Sequence, residues 1–311
     1  MNDNKIRAVA LGELLVDMAG ESADAAGYPT LKANPGGAPA NFLAALAAYG
    51  ISAGFIGRVG DDAFGKILRR TLENSGIDCS ALQVDKAAFT TLAFVTLDES
   101  GDRSFSFARK PGADTRLELD DTARELIKNA ELFHFGSLSL TDEPARSATI
   151  EAVRLARESG CIISCDPNLR LPLWESAESA KKWMTWAVEQ ADIVKISDEE
   201  AEFLYGLSPE DCAGKLLREG KKAVFVTLGK DGCYYAAGSE RGYAKGPDVR
   251  PVDTTGAGDI FGGAAMSMLL KGESPRRAAE FACCAASLST EKKGGISSVV
   301  PLDEVMHKLT E

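Results

Sequence analysis

Alternation constrains this chain more than any other feature. Short apolar runs take turns with longer segments of helical periodicity along most of its length. Ala8–Leu11, Ala53–Ile56, Leu132–Phe135, Ile162–Cys165, Ile193–Ile196 and Ala223–Leu228 read as buried strands. Ala38–Tyr49, Ala63–Asn74, Arg146–Glu158 and Ala177–Glu189 read as helices between them. That order marks an α/β fold, a central and mostly parallel sheet with helices on both faces. Gly50, Gly76 and Gly160 fall just past helical segments, where a C-terminal cap favours positive φ. No repeat or long linker interrupts the 311 residues, so residues 1–311 read as a single domain.

One region breaks the rhythm. Thr90–Asp98 and Arg103–Ala108 are β-rich, with Glu99-Ser100-Gly101-Asp102 as a turn between them, which reads as an antiparallel hairpin. Phe105 and Phe107 alternate onto one apolar face, and segments around Leu14–Met18 and Tyr28–Leu31 can add strands. The expectation is a small β lid inserted from roughly 13–34 and 89–111; the plainer alternative is a static extension of the sheet edge.

Charge narrows the partners. With 35 Lys and Arg against 46 Asp and Glu, the net charge is −11 and the pI near 4.9. Nucleic acid and anionic membrane surfaces need clustered cations, so neither is expected as the main partner. A phosphate ligand stays open, because a few local amides suffice for it. The opening MNDNKIRAVALGELLVDMAG is too interrupted for a signal peptide or a membrane span and reads as a first strand. The seven cysteines show no C-x-x-C spacing and only His134 and His307 accompany them, which argues against zinc and for buried thiols in a reducing cytoplasm.

Glycine patterns suggest phosphate sites, and most fail on inspection. Gly60-Asp61-Asp62-Ala63-Phe64-Gly65-Lys66 fits G-x-x-x-x-G-K, but Ile67 stands where a Ser or Thr would hold Mg²⁺. Its acidic residues suit a strand-to-helix turn, where the helix dipole favours carboxylates. Gly256-Ala257-Gly258-Asp259-Ile260-Phe261 lacks the third glycine of a dinucleotide fingerprint. The stronger feature is Asp253-Thr254-Thr255-Gly256-Ala257-Gly258-Asp259, followed by the apolar helical run Ile260–Leu270. Its small residues allow a tight turn whose N–H groups point into one concavity at a helix N-terminus, a place that favours an anion. Asp259 beside that pocket suits a general base for an attacking alcohol, and equally suits a helix cap.

The wider sequence resembles the PfkB, or ribokinase-like, carbohydrate kinases. DTTGAGD at 253–259 looks like that family's C-terminal signature; PGGAPANFLAALAAYG at 35–50 and FIGRVGDDAFG at 55–65 look like its N-terminal one. CDPNLR at 165–170, VKISDEE at 194–200 and VTLGKDG at 226–232 stand between them in the family's order.

The resemblance implies roles. It makes Asp259 the base and the amides of Gly256, Ala257 and Gly258 an anion hole. It places the sugar against an Asp at the end of the first strand, matched by Asp17, and against Gly36, Gly37 and Asn41. Thr227 and Gly229 match the nucleotide-binding segment, and Lys195, taken as cofactor-binding, falls with Glu200 in a segment that often reads N-x-x-E. Glu200 matches a Glu tied to Mg²⁺ through water, while Ser197 stands where that segment often has Asn. Cys283 replaces an Asn often found near the adenine. Asp253, the Thr255 carbonyl, Gly294 and Ser298 match a loop pair that holds a potassium-like cation in many members.

These matches imply ATP and Mg²⁺ as cofactors, possible K⁺, a small sugar as substrate, and a homodimer formed through the lid. FARKPGAD at 107–114, FHFGSLSL at 133–140 and CDPNLRLPLW at 165–174 look most like fructokinases, with transfer to the 6-hydroxyl of fructose. Arg109 and Arg170 are the candidate cations for the sugar or the moving phosphate. The alternatives are kinases for 2-keto-3-deoxygluconate, ribose or a nucleoside, and a catalytically inactive relative serving as a scaffold.

Overall fold

The computed structural model describes residues 6–97 and 103–310. From the start the chain runs β1 (Ala8–Leu11), β2 (Leu15–Ala23), β3 (Pro29–Gly36), α1 (Ala38–Ala48), β4 (Ala53–Gly60), α2 (Ala63–Asn74), β5 (Ile77–Asp78) and β6 (Leu82–Asp85). Then come β7 (Leu92–Leu97), β8 (Arg103–Ala108), α3 (Asp121–Asn129), β9 (Leu132–Gly136), α4 (Ala145–Glu158), β10 (Ile162–Asp166), α5 (Ala177–Gln190) and β11 (Ile193–Ser197). The last third holds α6 (Asp198–Tyr205), α7 (Pro209–Arg218), β12 (Ala223–Thr227), β13 (Cys233–Ala237), β14 (Glu240–Ala244), α8 (Ala257–Leu270), α9 (Pro275–Ser289) and α10 (Leu302–Lys308).

The large sheet has the order β14-β13-β12-β11-β10-β9-β1-β4-β5, with β6 extending β4. Its pairs are parallel from β12 to β5, and β13 and β14 add an antiparallel edge. Side chains alternate across this sheet because a strand has a period of two. Ala8 and Ala10 of β1 join one core with α1, α8 and α9, while Val9 and Leu11 join a second with α4, α5 and α7. Two apolar cores, one per face, are why the central strands read as continuous hydrophobic runs.

Turn chemistry sets the element ends. Asp62 caps α2 by accepting from the Gly65 N–H at 2.8 Å, so the G-x-x-x-x-G-K segment is a strand-to-helix turn. Gly50, Gly76 and Gly160 all take positive φ after their helices.

A second, four-stranded sheet has the order β3-β2-β7-β8. β2 and β3 are antiparallel, β7 and β8 are antiparallel, and a parallel seam, Val16↔Leu92 to Ala19↔Val95, joins the two pairs. The expected turn at Glu99–Asp102 and the side chain of Phe105 lie outside the described residues. Among the described residues no helix is long and apolar enough to cross a membrane, and all seven cysteines are buried and unbridged.

Candidate active site

A cleft of about 820 Å³ opens at the carboxyl ends of the central strands, beneath the small sheet. An α/β sheet leaves its ligand space there because the strand-to-helix loops diverge. One end is lined by Glu13, Asp17, Gly37 and Asn41, with Ala93 and Phe107 of the small sheet. The other end runs past Lys195, Glu200 and Asp259 to Thr227 and Gly229. Thr227 and Gly229 also line an adjoining cavity of about 740 Å³, floored by Phe261, Cys283 and Ala286.

Asp259 lies in the first turn of α8, and the packing of α8 on α1 sets its position. A Cβ on Gly263 would come within 2.3 Å of the Phe42 carbonyl, so glycine there lets the two helices approach closely. That approach brings Asn41 Nδ2 to 2.8 Å from Asp259 Oδ2, and the amide donates to the carboxylate. The Phe42 ring stacks on His134 at 3.7 Å and anchors α1 to β9. Burial pushes His134 down to about 3, with Lys195 adding to the effect, so the imidazole is neutral. Burial also raises the Asp259 pKa above the ordinary carboxylate value; Asn41, Lys195 and Arg170 oppose that rise.

The loop before Asp259 is built around Gly256, in the left-handed region at φ 76°. A Cβ there would crowd Gly295 Cα at 2.9 Å and the Asn41 amide at 3.1 Å. Gly256 and Gly258 face the cleft. Ala257 instead lines the adjoining cavity, and its N–H makes a 3.3 Å turn bond to the Thr254 carbonyl. Gly258 lines both cavities, and the turn bond engages the middle amide of the three. Lys195 lies under this loop, since a Cβ on Gly258 would meet its Nζ at 3.0 Å. The same Nζ is 2.9 Å from Asp166 Oδ2. Burial works against the Lys195 ammonium, but Asp166 and Glu200 outweigh it and hold its pKa above the ordinary value.

Asp17 belongs to β2 in the small sheet, not to the end of the first strand, which stops at Leu11. Its neighbour in space is Gly36 of β3, where a Cβ would lie 2.3 Å from Asp17 Oδ2. Arg170 lines the cleft and weighs on both Asp17 and Asp259. Its Nη1 donates to the Leu169 carbonyl at 2.8 Å. Arg109 does not line this cleft. Its Nε donates to Asp114 at 2.7 Å, Nη1 to Thr141 Oγ1 at 2.8 Å and Nη2 to the Leu138 carbonyl at 3.0 Å. A buried guanidinium takes the nearest carboxylate, and Asp114, five residues on, captures it.

Glu200 is buried, with one oxygen accepting from the Leu169 N–H at 2.7 Å and the other from the Ser197 N–H at 2.9 Å. Ser197 in turn caps α6 by accepting from the Glu200 N–H, which completes a capping box. The serine thus has a definite role, and S-x-x-E is its sequence signal. Asp253 ties two loops together: Oδ1 accepts from Thr255 N and Oγ1, and Oδ2 from the Gly294 N–H at 2.9 Å. Ser298 is fully buried beside them and donates to the Gly295 carbonyl at 2.8 Å. Cys283 floors the adjoining cavity, its Sγ 3.6 Å from that of Cys233.

Sequence reasoning missed Glu13, Asp166 and Asn168. Asn168 takes φ 50°, a conformation asparagine tolerates better than most residues, and lines the cleft. Its signal was the D-P-N-L-R turn itself.

The family model for pfkB family carbohydrate kinase matches residues 5–302. Over 96% of its length the chain is 42% identical to Fructokinase-1 of Zea mays, covering 96% of that protein. It is 40% identical to Fructokinase-2 of Solanum lycopersicum over 96% of the chain and 94% of the relative. Among solved structures, a fructokinase with bound ATP from Xylella fastidiosa superposes with a TM-score of 0.89 at 28% identity, covering 98% of each chain. A Vibrio cholerae fructokinase in its fructose, ADP and calcium ion bound form gives 0.87 at 32% identity, over 98% of this chain and 99% of that one. With the cleft, the α8 N-terminus and this match in agreement along nearly the whole sequence, the chain belongs to the pfkB family of carbohydrate kinases.

Proposed function

We propose that this chain is an ATP-dependent fructokinase that transfers the γ-phosphate of ATP to the 6-hydroxyl of D-fructose. The observation that carries the reading is Asp259, held at 2.8 Å by Asn41 at the N-terminus of α8, between a polar, carboxylate-lined end and a nucleotide-sized one. The sugar occupies the end lined by Asp17, Gly37 and Asn41, with Gly36 behind Asp17 and Arg170 at the rim. ATP runs past Thr227 and Gly229, and its base reaches the cavity above Cys283.

Asp259 accepts the hydroxyl proton as the sugar oxygen bonds to the γ-phosphorus and the bond to the bridging oxygen breaks, releasing ADP. Its raised pKa makes it a stronger base than an exposed aspartate. The N–H groups at Gly256 and Gly258, with Lys195 beneath them, stabilise the charge on the transferring group. Mg²⁺ arriving with ATP would neutralise phosphate charge and would be held by Glu200 through water, using lone pairs not spent on Leu169 and Ser197. A K⁺-like ion would rest between the loops that Asp253 fastens, where Asp253, Thr255, Gly294 and Ser298 offer oxygen donors suited to a hard cation. Among the described residues no cluster of three or more His, Cys, Asp or Glu suits another metal.

The acidic lining favours a neutral sugar over 2-keto-3-deoxygluconate. A substrate carboxylate would lie near Glu13, Asp17 and Asp259, and among the described residues Arg170 is the cleft cation at that end, since Arg109 is committed to Asp114. The small sheet acts as the lid, and a second copy packs against it where Tyr28, 71% exposed, and Phe89, 78% exposed, lie beside its strands.

A coupled ADP-release assay tests the reading. Fructose should give the highest kcat/KM among fructose, glucose, ribose, 2-keto-3-deoxygluconate and adenosine. Asp259→Asn should fold normally and lose at least ~10²–10⁴-fold in turnover. A tenfold preference for another sugar would overturn the substrate, and near-normal turnover in the variant would overturn the base.

A further inference from the structure

The start of α1 has no cap of its own. Gly37 is the N-cap residue and has no side chain to accept from the first amides, although a helix leaves four of them unpaired. Glu13, in the connection from β1 to β2, supplies the missing acceptor from 25 residues away: its Oε1 accepts from the Ala38 N–H at 2.8 Å.

The two segments touch along their backbones. Gly37 is at φ 116°, and a Cβ there would lie 2.5 Å from the Glu13 carbonyl oxygen; a Cβ on Gly12 would lie 2.7 Å from Pro39 Cγ. Glu13 is only 3% exposed yet lines the cleft. One turn into the same helix is Asn41, whose Nδ2 holds Asp259 while its Oδ1 is buried without a hydrogen-bond partner. An orphaned buried amide oxygen is costly, and Gly295 backs it so closely that a Cβ there would lie 2.3 Å away. Asn41 therefore has little tolerance for a shift of α1.

We infer that Glu13 is a positioning residue for the sugar end of the site: by capping α1 from a distant segment, it fixes Asn41 against Asp259. The inference rests on the sugar-kinase reading above. Burial pushes Glu13 up to about 7, against the pull of the Ala38 amide and of Arg109 and with a further push from Asp114. Acid and carboxylate forms are then both accessible near neutrality, and each keeps an acceptor oxygen. The cap requires an acceptor rather than a charge, and that separates it from a direct ionic contact.

The test compares Glu13→Ala, Glu13→Gln and Ala38→Pro in steady-state kinetics with fructose and ATP. Proline removes the donor at the first helical position, where its ring is well tolerated. Glu13→Ala and Ala38→Pro should each raise the fructose KM about tenfold and lower kcat severalfold, with the ATP KM within about twofold of the parent. Glu13→Gln should recover most of the loss. In the double variant Glu13→Ala/Ala38→Pro the second change should add less than twofold, because both remove one bond. If Glu13→Ala does not fold, Glu13→Gln and Ala38→Pro still decide the matter. Parent-like kinetics in Ala38→Pro, or a Glu13→Gln as impaired as Glu13→Ala or more, would overturn the inference. A parent protein with no sugar-dependent ADP release would instead sink the kinase reading itself.

Discussion

Asp17 bears a conflict that is visible in its surroundings. Burial first, then the charge of Asp259 and more weakly that of Asp253, push its carboxyl from the ordinary 3.8 up to about 7, against the pull of Arg170. Between about pH 4 and 7 the folded chain holds a proton there that the unfolded chain releases, so this group's contribution to stability falls as pH rises through that window. Asp17→Asn should therefore melt roughly 1–3 °C higher than the parent at pH 8, with the gain vanishing near pH 4. The same change should raise the fructose KM at least tenfold. Thermal scans at both pH values would check the sign, and a lower melting temperature at pH 8 would contradict it. At this scale the sequence was readable where chemistry is local. The Gly256–Asp259 turn and its helix are contiguous, so their anion-friendly start could be seen in the letters. Arg109 was misread because its fate depends on Leu138 and Thr141, which only the fold brings to it. Glu13 was missed for the same reason, its partner lying 25 residues away.

Elements carried a different share of the information. Apart from β4, which runs four residues past the expected end at Ile56, the expected central strands and the helices α1, α2, α4 and α5 fall within one or two residues of the pattern-based reading, because burial on both sheet faces writes apolar runs directly into the chain. The β13–β14 hairpin escaped, although Gly238, at φ 56° in its turn, is a familiar hairpin mark. The junction where β8 leaves the small sheet is an element-scale device. Arg109 and Asp114 are both under 5% exposed at their side chains, and Thr91 Oγ1 also donates to Asp114. Arg109→Ala should cost about 3–5 kcal/mol, because it strands a buried carboxylate. Arg109→Met with Asp114→Leu should cost much less. Urea denaturation would measure both, and a single variant as stable as the parent would refute the assignment. The fructose KM should change less than stability does, reversing the expectation drawn from sequence.

At the scale of the whole molecule, the small sheet is the surface through which we propose that copies meet and the cleft closes. Tyr28, Leu31 and Phe89 are exposed on or beside it, and an apolar surface of that kind is a natural contact for a second chain. Sedimentation at micromolar concentration should give a dimer, and Tyr28→Glu with Phe89→Glu should shift it to a monomer. A parent that stays monomeric would remove the assembly from the proposal. The small sheet also enters the fold twice, as β2 and β3 before α1 and as β7 and β8 after β6, and among the described residues the strand pairing that joins the halves is the parallel seam from Val16 to Ala19. It is therefore no cassette. A chimera that took one hairpin from a related enzyme would set two unacquainted strands side by side along that seam. Recombination between relatives should be tolerated where crossovers fall outside the whole span from β2 to β8, so that the two hairpins are inherited together.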